Sequence, residues 1–147
     1  MDVQCQCGAV SFKTPTPAPI AVWHCHCRQC RAQTGSAFGT SAIFPSQGIL
    51  PLSEANQAAA QRWIRPAEQS DSGREGECYF CKTCGVRILH RIIEKDGTPR
   101  DSVAIKGGLI KDLDWKSAKH LFTKEAVVPI PEGVEAYETI PAYMRPG

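Results

Sequence analysis

The chain has 147 residues, of which 42% are hydrophobic and 22% are charged, and its formal net charge is +2. This length and composition are typical of one soluble globular domain, and no window approaches the roughly 18 apolar residues that a membrane-spanning helix needs. The N-terminus, MDVQCQCGAV, lacks the basic and apolar segments of a secretory signal. We therefore expect a single cytoplasmic domain over residues 1–147.

The predicted elements along the chain are mostly strands. Alternation or β-branched residues predict strands at 9–13, 20–23, 37–44, 86–93 and 102–105. Ser53 is a candidate cap for a short helix over Glu54–Gln61, in which alanines supply the helix propensity. The polar stretch Pro66–Glu77 predicts an exposed loop, and prolines predict an extended tail at 129–147. These elements indicate a β-rich domain.

Cysteines form the most unusual pattern. The chain contains eight, about 5% of its residues, and seven of them lie in short groups. The groups are Cys5 with Cys7, then Cys25, Cys27 and Cys30, then Cys81 with Cys84, whereas Cys78 stands apart. Disulfides within such groups would close very small, strained loops. In a reducing compartment the pattern favours thiolate ligands for a metal, with zinc preferred over an iron cluster.

The first and last cysteine pairs are succeeded by similar sequences. CQCG leads into AVSF and CKTCG leads into VRIL, so each pair is succeeded by a glycine and then a β-prone run. Glycine can adopt the positive φ that turns backbone amides toward a sulfur ligand, and sulfurs that share a tetrahedral zinc lie about 3.7 Å apart. We therefore assign Cys5, Cys7, Cys81 and Cys84 to one closed, structural zinc site.

The remaining group, WHCHCRQC, has three thiolates on a short segment. They belong to Cys25, Cys27 and Cys30. Structural zinc sites are closed, whereas catalytic ones keep a corner for water or substrate. Cys78 could close this site, His24 or His26 could add a nitrogen, or the fourth corner could be open. If residues 23–27 are extended, alternation directs both histidines away from the metal, which favours a role in orienting the ligands.

An open corner would constrain the chemistry. Three thiolates around Zn²⁺ leave a net negative charge, so this zinc acidifies water less than a zinc held by neutral imidazoles. It suits a thiol, which it would deprotonate while leaving the sulfur able to attack a carbonyl carbon. The ligand set therefore favours carbon–sulfur bond chemistry over hydrolysis of peptides or phosphates.

The motifs CQCGAVSF, HCHCRQCRAQTGSAF, YFCKTCGVRIL and KHLF, in this order, resemble the glutathione-dependent formaldehyde-activating enzyme family, also represented by the centromere protein V-like domain. The resemblance covers about residues 4–130. It implies an all-β domain of several short, coiled sheets organised by two zinc ions, with at most one or two short helices. It also implies a structural zinc at the first and last cysteine pairs and a catalytic zinc, near which glutathione binds, at the middle triplet.

The function implied by the resemblance is that of a carbon–sulfur lyase similar to S-(hydroxymethyl)glutathione synthase. Its substrate would be an adduct of glutathione, or another small thiol, with formaldehyde or another carbonyl compound. Two alternatives remain: a non-catalytic, zinc-stabilised binding module, and a zinc enzyme of a pathway with a different substrate. His24 or His26 could relay a proton, whereas His120 in KHLF is expected to be a packing histidine.

Three basic residues lie beside the ligand cysteines and could contact the carboxylates of glutathione: Arg28, Arg31 and Lys82. The other basic residues are dispersed. Binding of two zinc ions through seven thiolates would change the net charge from +2 to about −1. We therefore expect a small-molecule thiol and a carbonyl compound as partners, and neither nucleic acid nor a membrane. A homodimer is compatible with the sequence but is not specified by it.

Overall fold

The protein is described by a computed structural model that places residues 1–144; residues 145–147, the end of the predicted tail, lie outside the described residues. Nine strands and two α-helices occur in the described part. The strands are β1 (Asp2–Gln4), β2 (Ser11–Lys13), β3 (Ala21–Cys25), β4 (Gly39–Pro45), β5 (Ala60–Arg65), β6 (Glu75–Cys81), β7 (Arg87–Ile93), β8 (Ser102–Lys106) and β9 (Lys119–Leu121). The helices are α1 (Arg28–Thr34) and α2 (Glu54–Ala59).

Most of the strands belong to one sheet. Seven strands follow the order β5-β6-β7-β8-β4-β3-β9, and β1 and β2 form a separate hairpin. Neighbouring strands of the large sheet are antiparallel, except that β9 runs parallel to β3. The expected mainly-β fold with one or two short helices is confirmed. Within residues 1–144, neither helix has the length and apolar character to cross a membrane.

Side chains alternate across the large sheet and give it two different faces. Three residues aligned across β4, β8 and β7 are fully buried in the main core: Ala42, Ile105 and Leu89. Their aligned neighbours on the opposite face line a cavity: Ile43, Ala104 and His90. The β1–β2 hairpin belongs to the core side, since Val3 and Val10 join the buried cluster there.

Helix α1 was not predicted. It begins directly after Cys27, whose sulfur caps it by accepting a hydrogen bond from the Cys30 N–H, and it ends at Gly35 in the left-handed conformation, with φ 60°. None of its seven residues is buried. The segment therefore has no apolar stripe, which is the pattern by which a sequence indicates a helix.

The predicted helix and the predicted loop both end earlier in the chain than expected. The helix predicted over Glu54–Gln61 is capped by Ser53 as expected, but it ends at Ala59 because the next residues pair with β6. The loop predicted over Pro66–Glu77 extends only to Arg74, because β6 begins at the next residue.

The last residue of that predicted loop is buried rather than exposed. The Glu77 carboxylate accepts hydrogen bonds from Arg91, Arg62 and Tyr79. Burial by itself would raise the pKa of Glu77, but these three hydrogen bonds hold the pKa below its usual value. The carboxylate thus remains charged and joins β6 to both neighbouring strands.

Candidate functional site

The first and last cysteine pairs meet in one cluster. The Sγ atoms of Cys5, Cys7, Cys81 and Cys84 all lie within 4.8 Å of one another. The sulfur of Cys7 is 3.7 Å from that of Cys5 and 3.6 Å from that of Cys81, close to the roughly 3.7 Å spacing of sulfurs around a tetrahedral zinc. A hydrogen bond from the Val86 backbone lowers the pKa of Cys84 to about 6, which favours a thiolate. The residues present therefore fit a four-coordinate zinc.

The two glycines after these pairs shape the turns. Gly8 has φ +81° and Gly85 has φ +74°, values that residues with a side chain rarely adopt. The chain can then turn back toward the sulfurs, and the Val10 N–H reaches Cys5 Sγ at 3.2 Å. CQCG and CKTCG therefore both end in glycine for the same reason, which is the positive φ that each turn requires.

The middle cysteines form a second cluster where β3 meets α1. The sulfurs of Cys25, Cys27 and Cys30 also lie within 4.8 Å of one another. Cys25 ends β3, Cys27 caps the helix, and Cys30 lies in its first turn. Hydrogen bonds within the cluster raise the pKa of Cys25 and lower that of Cys30, so Cys30 ionises before Cys25. Three soft donors on one tight turn fit three corners of a zinc site.

Cys78 does not join either cluster of the described residues. It is completely buried, and its thiol donates to the Gly76 carbonyl oxygen at 3.4 Å. It lies opposite His90 in the β6–β7 register. The expectation that Cys78 could supply a fourth ligand therefore finds no support in the position of its sulfur.

The two histidines of the middle motif have partners on neighbouring strands. His24 Nδ1 is 2.7 Å from Thr40 Oγ1, and His26 Nε2 is 2.9 Å from His120 Nδ1. Burial and then the positive charges of His120 and His26 lower the pKa of His24 to about 4. Neither His24 nor His26 lines the cavity that the cysteine triplet borders. Their rings hold the β3–α1 junction in place.

The cysteine triplet borders a cavity of about 440 Å³ on the open face of the large sheet. Its walls near the triplet are largely apolar. They include Trp23, Ile43, Leu121, Phe122 and Ile140. Toward β5, at the far side of the sheet from β3, the lining becomes polar and cationic. This part includes Arg65, Ser70, Ser72, Arg74 and Arg100. The cavity thus joins a sulfur-rich end to a cationic end through an apolar middle.

Two titratable residues beside the cavity were missed by the sequence analysis. Lys106 is buried, and its Nζ donates to Ser41 Oγ at 3.1 Å. Burial lowers the pKa of Lys106, and the Cys30 thiolate opposes this shift. Burial and the Lys106 cation keep the pKa of His90 well below its usual value, and its buried Nδ1 has no hydrogen-bond partner among the described residues. The only sequence signal for them was strand alternation, which gives no indication of which strands are neighbours.

The basic residues predicted to contact glutathione lie elsewhere. Arg31 Nε donates to the His26 carbonyl oxygen at 3.1 Å, and Lys82 Nζ donates to the Ala58 carbonyl oxygen at 2.8 Å. Arg28 is exposed. None of the three lines the cavity: Arg28 and Arg31 lie on α1, and Lys82 lies in the turn between Cys81 and Cys84. These residues were predicted to contact glutathione because they are adjacent in sequence to ligand cysteines. Much of the cavity lining instead comes from strands that are distant from those cysteines in sequence.

Comparisons with known proteins indicate the family and the fold. The glutathione-dependent formaldehyde-activating enzyme family matches residues 1–125. A search of curated proteins finds no match. A crystal structure of a Rhodobacter sphaeroides protein is similar with a TM-score of 0.51 and 15% identity, and the match covers 79% of this chain and 93% of that one. At this level of identity, the structural likeness concerns the fold alone.

Proposed function

Since the chain belongs to the glutathione-dependent formaldehyde-activating enzyme family, as its cysteine motifs predicted, we propose that it is a zinc-dependent carbon–sulfur lyase. Its substrate is an adduct of glutathione, or another small thiol, with formaldehyde or another carbonyl compound. One observation carries the proposal: a cluster of three cysteine sulfurs borders a cavity, and no fourth sulfur of the described residues lies in that cluster. An open corner next to a cavity is the arrangement of a catalytic zinc.

The two clusters have different tasks in this proposal. The four-cysteine cluster would hold a structural zinc, which would join the N-terminal hairpin to the turn between β6 and β7. The three-cysteine cluster would hold the catalytic zinc, which would lower the pKa of the substrate thiol. Cys25, Cys27 and Cys30 provide a negatively charged, sulfur-rich environment that suits a fourth sulfur better than water.

The reaction is an addition and its reverse. In the forward direction the thiol sulfur forms a bond to the carbonyl carbon, and the thiol proton ends on the carbonyl oxygen. In the lyase direction the carbon–sulfur bond breaks and the hydroxyl proton returns to the sulfur. The chain must therefore supply a group that holds this proton between the two atoms.

His90 is the residue that we assign to this proton. It lines the cavity, and its buried Nδ1 is not engaged by any described residue. Its lowered pKa keeps the imidazole neutral near pH 7, so the ring can accept a proton. The sequence had suggested His24 or His26 for this proton transfer. We assign it to His90 instead, because the rings of His24 and His26 do not line the cavity.

A pair of cysteine variants tests the proposal. Cys27→Ser should abolish turnover of the glutathione–formaldehyde adduct, followed by nuclear magnetic resonance, while the melting temperature falls little. Cys7→Ser should lower the melting temperature strongly, because the structural metal contributes several kcal/mol to folding, of the order of 10 in small zinc domains. Full turnover by Cys27→Ser would refute the proposal. Two sites of four sulfurs each in the wild-type protein would instead support a non-catalytic module.

A further inference from the structure

The cationic end of the cavity contains one arginine without an acidic partner. Arg74 and Arg100 both form ion pairs with Glu94, whose carboxylate lies 2.7 Å from Arg74 Nε. Arg65, by contrast, forms no ion pair with a carboxylate of residues 1–144. Asp71 also borders this end but does not pair with Arg65. Among the described arginines that line the cavity, Arg65 is therefore available for an anion.

The hydrogen bonds of Arg65 leave part of its guanidinium unused. Nη2 donates to Ser70 Oγ at 3.1 Å, and Ser70 Oγ is in turn 2.8 Å from Ser72 Oγ. The Nε atom of Arg65 is buried and has no hydrogen-bond partner in the described part of the chain. A buried donor without a partner costs free energy. A ligand that accepted a hydrogen bond from this guanidinium would offset that cost.

Gly76 makes room for this guanidinium. It faces Arg65 in the β5–β6 register, and a methyl group at Gly76 would lie 3.1 Å from Arg65 Nη2 and 3.3 Å from Cζ. These distances are tighter than ordinary contacts, so any larger residue would displace the guanidinium. The absence of a side chain at Gly76 thus leaves the space that the Arg65 guanidinium occupies at the border of the cavity.

We propose that Arg65 binds a carboxylate of the thiol substrate, at the end of the cavity remote from the cysteine triplet. A guanidinium offers a planar fork of N–H donors that matches a carboxylate. Arg65 ends β5 and Cys25 ends β3, and both line the same cavity, so the ligand must carry its carboxylate at a distance from its sulfur. The site would then select peptide-like thiols, such as glutathione, over thiols that lack a carboxylate at a distance from the sulfur. This inference rests on the proposed function, since it takes the triplet to be where the sulfur binds.

Calorimetry on the zinc-loaded protein tests the inference with two ligands and no carbonyl compound. Glutathione and its diethyl ester share a thiol and a peptide backbone, but only glutathione carries carboxylate charges. We expect the wild-type protein to bind glutathione about 10-fold to 100-fold more tightly than the ester, as is typical of a charge-assisted hydrogen bond. Arg65→Met should weaken glutathione binding by a similar factor and leave ester binding unchanged.

Two further variants sharpen the test. Gly76→Ala keeps the charge of Arg65 but displaces it, so it should weaken glutathione binding by less than Arg65→Met and leave ester binding unchanged. Arg62→Met removes the same charge from the same strand but outside the cavity, and should change neither affinity. Equal binding of the two ligands by the wild-type protein would overturn the role of Arg65 and leave the proposed function standing. Failure of both ligands to bind would overturn the two together.

Discussion

Lys106 is a buried cation that forms no ion pair with a carboxylate of residues 1–144. An unpaired charge inside a protein is costly, and burial lowers the pKa of Lys106 for this reason. The thiolates of Cys30 and Cys25 oppose that shift, so they are the anions that stabilise its charged form. In the proposed function, Lys106 would therefore balance the negative charge of three thiolates around a bound zinc and would favour the entry of a fourth, anionic sulfur.

Replacement of Lys106 by methionine should make the substrate thiol harder to ionise. A nearby cation lowers a thiol pKa, so its removal raises that pKa, and the rise of kcat/KM with pH should move to higher pH by about one unit. Below the shifted pKa the rate should fall about 10-fold. Lys111→Met, at an exposed lysine outside the cavity, is the control and should keep the wild-type profile. An unshifted profile in Lys106→Met would show that the cation acts only in packing.

Helix α1 positions the triplet because it lies against β4 at a glycine. A methyl group at Gly39 would lie 3.2 Å from Cys30 Cβ and 3.3 Å from the Cys30 carbonyl oxygen. The carbonyl belongs to the backbone, so the contact cannot be relieved by rotation of a side chain. Close approach of the first turn of α1 to β4 thus fixes where the Cys30 sulfur stands relative to Cys25, which pairs with Gly39 across β3 and β4.

Gly39→Ala should therefore weaken the second metal site and spare the first. We expect the zinc content after mild chelation to fall from about two ions per chain to about one, with a parallel loss of turnover. Gly108→Ala is a matched control, since a methyl group there would meet nothing within 4 Å. Equal loss of zinc in the two variants would mean that the α1–β4 contact does not set the site.

Across the fold, the features that were predicted consist of residues close together in sequence, whereas the missed ones consist of residues far apart in sequence. Both cysteine clusters were predicted, because spacing within CQC, CHCRQC and CKTC and the shared glycine are local signals. His90, Lys106 and Arg65 were missed, because each is isolated in sequence; only strand pairing brings His90 and Arg65 to one cavity and Lys106 to Ser41 at its border. Helix α1 was missed because it buries no apolar stripe.

In the proposed function, a substrate sulfur completes the zinc site at Cys25, Cys27 and Cys30. X-ray absorption at the zinc edge, recorded on the holoprotein with and without glutathione, counts the sulfurs around the metal. Four sulfurs at one site and three at the other predict an average of about 3.5 sulfurs per zinc before glutathione is added and about 4 afterwards. An average of about 4 before the addition, or no change after it, would contradict the claim.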